Sequence, residues 1–207
     1  MYDQGTNWSS INNRAARKVS VRVFMCPSVG TTPRTAPDPS PTYPSAISDY
    51  APIGAVSDKL CVFLGYTPAT FPTSQRIGAL ETNRPNPLEG FRDGTSTTIL
   101  LAEDADRPNR WRLDKLVGTN VTGAGWANDG AAFGVDGTAI ATATVDRGSC
   151  VINCTNANEI YSFHTKGANF LFADGSIHYL RSGINVNVMV GLITKRNGEQ
   201  NLPASEL

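Results

Sequence analysis

The chain has 207 residues, enough for one well-filled hydrophobic core, and its length favours a single domain over residues 1–207. Eighteen Lys and Arg balance eighteen Asp and Glu, which removes the electrostatic case for a nucleic-acid partner, because such binding rests on a basic surface. No run of about 18 apolar residues occurs, so nothing in this chain reads as a membrane span; the polar stretch Met1–Lys18 shows no apolar core of an export signal.

Only 17% of residues are charged, while Gly (19) and Pro (13) are frequent, a balance that predicts short strands joined by many loops. After a polar lead-in, Val19, Val21 and Val23 alternate with Ser20, Arg22 and Phe24, predicting a short strand that stops at Cys26-Pro27. Five prolines (Pro33, Pro37, Pro39, Pro41 and Pro44) mark residues 31–44 as an extended loop. The apolar run Leu60–Leu64 suits a buried strand or a helical turn equally. Asp93-Gly94 predicts a turn, and Thr97–Ala102, β-branched and apolar, a central strand that ends in Glu103, Asp104 and Asp106. Arg110–Leu113 predicts a short strand anchored by Trp111. The glycine-rich stretch 118–137 carries Trp126, Asp129 and Asp136, and Ala139–Thr144 reads as a weak strand or loop. Near the end, Asn185 is placed to cap a helix from Val186 to about Lys195. Val188, Met189, Leu192 and Ile193 form its apolar stripe, Lys195 and Arg196 suit its negative end, and Gly198 lies just beyond.

Residues 159–180 hold the sharpest local signal. Asp174-Gly175 has the composition of a two-residue hairpin turn. Pairing outward from it sets Phe172 opposite Ile177, Leu171 opposite His178 and Phe170 opposite Tyr179. Phe170, Phe172, Ile177 and Tyr179 then share an apolar face that the C-terminal helix is expected to cover.

Four cysteines allow three pairings. Cys150 and Cys154 bracket three residues and suit a small oxidised loop, leaving Cys26 and Cys61 available to each other. Free thiols remain open, as does zinc held by Cys150, Cys154 and His164, although the spacing is unusual and only His178 or a distant cysteine could supply the fourth ligand. Glu103 and Asp104, at a strand end, are candidate ligands for a hard cation such as calcium or a candidate acid–base pair; pairing with Arg107, Arg110 or Arg112 is the simpler account. Asp129 and Asp136 offer further oxygens without the EF-hand spacing. A triad of Ser162 or Ser176 with His164 and Asp174 lacks a nucleophile elbow, and Asp174 is explained by its turn. No glycine-rich phosphate loop is present. No catalytic residue is expected.

His164, nine intervening residues and Asp174-Gly175 resemble the H-x9-D-G box that closes a planctomycete-type family of unknown function. Cys150–Asn156, Asn158–His164, Phe24–Ser28, Ser48–Tyr50, Asp93–Ser96 and Leu101–Asp104 are similar to the family's other landmarks. Members usually begin with a prepilin-type methylation segment and a long apolar helix, which is not seen here. The resemblance implies an α+β fold: an antiparallel sheet of short strands with long loops and a C-terminal helix, like a pilin head without its stem. It implies a non-enzymatic, pseudopilin-like protein, extracellular, periplasmic or at the cell surface, assembling with like subunits or other envelope proteins. The cysteines agree with export although no export signal is visible, as in a mature fragment, a truncated chain or a member that has lost its stem. Calcium is the one cofactor the resemblance suggests, with Asp129 and Asp136 of the glycine-rich loop as ligands beside the strand-end candidates Glu103 and Asp104. The competing expectation is a secreted carbohydrate-binding or hydrolytic domain using the acidic strand end and the glycine-rich loop. Surface platforms at Trp111 and Trp126 would favour it, whereas burial of both would favour assembly.

Overall fold

The computed structural model describes residues 1–30, 34–36, 44–81, 84–140, 144–145 and 147–195, so most of the proline-rich loop lies outside the described residues. In chain order the strands are β1 (Thr35–Ala36), β2 (Ser45–Ala46), β3 (Tyr50–Val56), β4 (Ile99–Glu103), β5 (Asn109–Arg112), β6 (Lys115–Thr119), β7 (Phe133–Val135), β8 (Thr138–Ala139), β9 (Thr144–Val145), β10 (Gly167–Phe172) and β11 (Ile177–Arg181). The helices are α1 (Asp58–Phe63) and α2 (Val186–Ile193). The main sheet runs β11-β10-β4-β3-β7 and is antiparallel except for the β3–β7 pair; β1–β2, β5–β6 and β8–β9 form two-stranded ribbons. The chain is thus α+β, with a largely antiparallel sheet of short strands and a C-terminal helix.

The β-branched, apolar stretch after Gly94 does form the central strand. One side of the sheet buries Ala51, Ile53, Ile99, Ala102, Phe133, Val135, Ala168, Phe170, Phe172 and Leu180 against Leu60 and Cys61 of α1 and Met189, Val190, Leu192 and Ile193 of α2. Leu60–Leu64 resolves as helix because Ser57 caps it, its hydroxyl accepting from Leu60 N. Asn185 caps α2 as its sequence predicts, accepting from Asn187 N. The other end differs from expectation. Arg196 and Gly198 lie outside the described residues, and Lys195 does not serve the helix dipole. It turns inward, its Nζ donating to Glu81 Oε1 at 2.6 Å and Asn86 Oδ1 at 2.7 Å.

Two expectations are overturned. Val19–Phe24 forms no strand: Arg22–Phe24 is a short 3-10 turn, and Val19 and Val23 are 59% and 75% exposed. Among the described residues the alternation has no neighbouring strand to pair with, and period alone does not make a sheet. The hairpin is also shifted by one residue. Leu171 pairs with Ile177, Phe170 with His178 and Asn169 with Tyr179. Gly175 N bonds Phe172 O, Phe172 N bonds Ser176 O, and Gly175 has φ +87°, so the connection is a three-residue turn closed by a glycine bulge. A one-residue slip moves a strand's side chains to the opposite face. Phe170 and Phe172 remain in the core, now beside Leu180 and with the His178 ring 4.6 Å from Phe172, while Ile177 and Tyr179 point outward.

No neighbour lies within 4 Å of a side chain built at Gly175, so the cost of Gly175→Val is that of the left-handed backbone alone, roughly 1–3 kcal/mol. A urea titration should show that loss; an unchanged midpoint would place the turn elsewhere.

Candidate functional site

The residues that converge most closely come from four separate stretches. Asp49, fully buried just before β3, is the hub. Its Oδ2 accepts from Cys26 N at 2.8 Å and from Arg34 Nη2; its Oδ1 accepts from Asp106 N at 2.9 Å. Its own N–H donates to Phe24 O and its carbonyl accepts from Asp104 N. One short side chain thereby fastens the Cys26-Pro27 turn to the end of β4, satisfying backbone donors that would otherwise be buried without partners.

Beyond β4 the chain returns along the same end. Tyr161 N bonds Glu103 O, and Ala105 N bonds Tyr161 O, which sets His164 over Glu103. Ser162 fixes the turn, its hydroxyl donating to Gly167 O and accepting from His164 N. Glu103, fully buried, shares Oε1 with His164 Nε2 at 3.0 Å and accepts from Asn169 N on Oε2 at 2.6 Å. His164 Nδ1 meets Ser28 Oγ at 3.2 Å, and Cys26 Sγ lies 3.6 Å from Nε2. Burial first, then the carboxylates of Glu103 and Asp49, push the Cys26 thiol up, and burial with the same neighbours pushes the Tyr50 phenol up. A fully buried thiol with a raised pKa is poorly prepared as a nucleophile.

The remaining acidic groups at this end serve other partners. Asp104 lies 3.2 Å from Arg107 Nε, both fully buried; burial pushes its carboxyl up to about 7 despite the guanidinium. Asp106 accepts from Trp111 Nε1 at 2.7 Å and pairs with Arg34 Nη1 at 2.9 Å. Burial also pushes Glu159 well up, although Asp136 N and Gly137 N both donate to its Oε1.

The four carboxylates proposed as calcium ligands do not come together. Glu103 faces His164, Asp104 faces Arg107, Asp129 accepts from Trp8 Nε1 at 2.9 Å, and Asp136 pairs with Lys59 at 2.7 Å. Nor does either histidine triad form. Ser162 donates to a carbonyl, Asp174 accepts from Ser176 within its own turn, and His164 faces Glu103, Cys26 and Ser28 instead of Asp174. Asp174 and Gly175 act in the turn. Zinc on Cys150, Cys154 and His164 is overturned as well, because Cys150 and Cys154 are joined to each other and His164 faces Cys26.

Cys26 and Cys61 are not a second pair. Both are free and buried, Cys26 against Glu103 and His164, Cys61 on α1 in the core with Arg76 and Asp58 as its charged neighbours. The Cys150–Cys154 bridge, as expected, closes a small loop, with Cα atoms 6.2 Å apart. That loop presents Thr155 and Asn156 to β5. Thr155 Oγ1 donates to Trp111 O, and Asn156 Oδ1 accepts from Trp111 N while its amide donates to Ala105 O and Asn109 O. Mass spectrometry of unreduced, denatured protein should find Cys150 and Cys154 linked and Cys26 and Cys61 open to alkylation; alkylation at Cys150 would contradict it.

The outer face of the sheet forms a second feature. Pro52 pairs with Leu101, Leu101 with Leu171 and Leu171 with Ile177, an apolar row across four strands that ends in a side chain 72% exposed. Tyr50, Pro52 and Leu101 floor a cleft of about 430 Å³ walled by Phe24, Trp126 and Leu80. Trp126 is half-buried, packs near Tyr2 and Phe24, and donates to Val19 O. Trp111 is also half-buried, edge-on to Phe163. Neither tryptophan is an open platform, and neither is fully covered.

Sequence reasoning marked Cys26, Asp49, Glu103 and His164 within separate landmarks but did not join them. The available signal was that each landmark carries a polar side chain inside an otherwise apolar or turn-forming setting. Among the described residues, no helix is long and apolar enough to cross a membrane.

Sheet, helix and hub together define a class: an α+β domain whose N-terminal segment is bound to the end of its central strand by a buried polar network. The chain belongs to the family described as "Protein of unknown function (DUF1559)", whose model matches residues 1–187. Searches of curated proteins and of solved structures each found no match.

Proposed function

We propose that this chain is the non-enzymatic, pseudopilin-like head of an exported or cell-surface protein that assembles with like subunits or other envelope proteins. The observation that carries this reading is the Pro52–Leu101–Leu171–Ile177 row, three half-buried apolar side chains leading to one that is exposed, because a contiguous apolar strip that reaches the surface marks a contact site more often than an accident. The investment of the buried landmark groups in one another supports it, as does the disulfide, which suits an oxidising compartment. The alternative, a secreted carbohydrate-binding or hydrolytic domain, draws on one feature, the aromatic cleft beside Trp126.

Ile177→Glu tests the reading, since that side chain contributes little to the core. Light scattering and cross-linking over a range of concentrations should show association in the parent protein that the variant loses at unchanged melting temperature. A panel of glycosides and esters should give no turnover. Turnover that disappears in Glu103→Gln while the fold survives would replace assembly with hydrolysis.

A further inference from the structure

We propose that Cys26, Glu103 and His164 form a binding site for a divalent transition metal with zinc's coordination preferences, with three protein ligands and a fourth position left to solvent. Among the described residues this is the group of His, Cys, Asp and Glu side chains whose ligand atoms all fall within 4.8 Å of one another. The spacing fits the chemistry. Zinc bonds of about 2.3 Å to sulfur and about 2.0–2.1 Å to nitrogen or oxygen place tetrahedral ligands about 3.3–3.6 Å apart. Cys26 Sγ to His164 Nε2, at 3.6 Å, meets that spacing, while Nε2 to Glu103 Oε1, at 3.0 Å, is a hydrogen-bond distance that has to lengthen slightly when the ion replaces the shared proton.

The donor set selects the metal class. A thiolate and an imidazole favour zinc and its neighbours over calcium or magnesium, which take oxygen ligands. The surrounding bonds resemble those that orient ligands in metal sites. Ser28 Oγ holds Nδ1, leaving Nε2 to face inward, and Asn169 N–H occupies Glu103 Oε2, leaving Oε1 free to point at the other two ligands. Asp49 anchors the backbone of Cys26. The Ser28 hydroxyl can donate to Nδ1 or accept from it. When the metal takes Nε2, the ring proton moves to Nδ1 and its hydrogen bond is kept; the thiol proton leaves to solvent, so affinity should fall as pH falls. Access is from the histidine, whose side chain is 27% exposed and borders a cleft of about 680 Å³. The site stands independently of the assembly reading.

The test uses the whole chain, stripped with a chelator, with its disulfide intact. Titration against a chromophoric chelator should give one zinc per chain, and the cobalt adduct should show a thiolate-to-cobalt charge-transfer band. Cys26→Ser should abolish the band, whereas Cys61→Ser should leave it. Ser28→Ala, which keeps all three ligands and provides a test should Cys26→Ser fail to fold, should weaken affinity about tenfold or more with an unchanged circular dichroism spectrum. No stoichiometric binding, a band that survives Cys26→Ser, a band lost with Cys61→Ser, or an affinity indifferent to Ser28→Ala would each overturn the proposal.

Discussion

Replacing Asp49 by alanine should lower the unfolding free energy by about 3–5 kcal/mol, the range for removing one member of a buried charged network. The substitution leaves Cys26 N–H and Asp106 N–H without acceptors and removes one of the two carboxylates that hold Arg34. Each buried donor left unpaired costs about 1–3 kcal/mol, so the two amides account for much of the loss before any charge is counted. For a chain of this size the melting temperature should fall by roughly 6–20 °C. Asp49→Asn should recover only part, since its amide sets a donor against one of the two N–H groups. An unchanged melting curve would mean that the N-terminal segment is not secured through this carboxylate.

Arg107→Met should be a pH-conditional lesion. Burial pushes the Asp104 carboxyl up to about 7, above the ordinary carboxylate range, because it opposes ionisation more than Arg107 favours it. The folded state therefore holds the proton more tightly than the unfolded chain. The stability from this group is fully present below about pH 4 and is lost as pH rises towards 7, after which it levels off. Glu159 has the same sign, its carboxyl also being pushed up by burial. Removing Arg107 deletes the interaction that lowers Asp104, so the decline continues past neutrality at about 1.4 kcal/mol per pH unit. Urea titrations should find the variant up to about 1.4 kcal/mol further below the parent at about pH 8 than at about pH 5, one pH unit of extra decline. A deficit independent of pH would show that packing around Arg107 matters more than the charge of Asp104.

Local signals carried much of this fold. The strand expected over Thr97–Ala102, the Asn185 cap and the Cys150–Cys154 loop each depend on neighbours a few residues away; the cap and the loop are where their residues place them, and the strand runs Ile99–Glu103 after a 3-10 turn that ends at Thr97. The hairpin shows where such signals stop. Asp174-Gly175 specifies a turn, but the same dipeptide serves a two-residue turn or the end of a three-residue turn with a bulge, and the two differ by the whole facing of β11. Val19–Val23 fails for the opposite reason, having the period of a strand and no strand beside it. The polar site was least legible. Cys26 and His164 are 138 positions apart, and no periodicity links them. Glu103 and Asp104 are adjacent in sequence yet face different partners, as consecutive side chains of a strand must.

Residues 1–30 supply no strand to any sheet among the described residues, yet they are tied down at several points along their length. Trp8 bonds Asp129, Arg17 bonds Pro44 O, Val19 O receives Trp126, and Cys26 N bonds Asp49. Tension pulling this segment away from the domain would load those ties one after another rather than all at once. The stretch would then peel in steps, each step releasing a short length of chain, and the load would reach the middle of the sheet only at Asp49. Such an attachment would yield by degrees while the core behind it kept its shape.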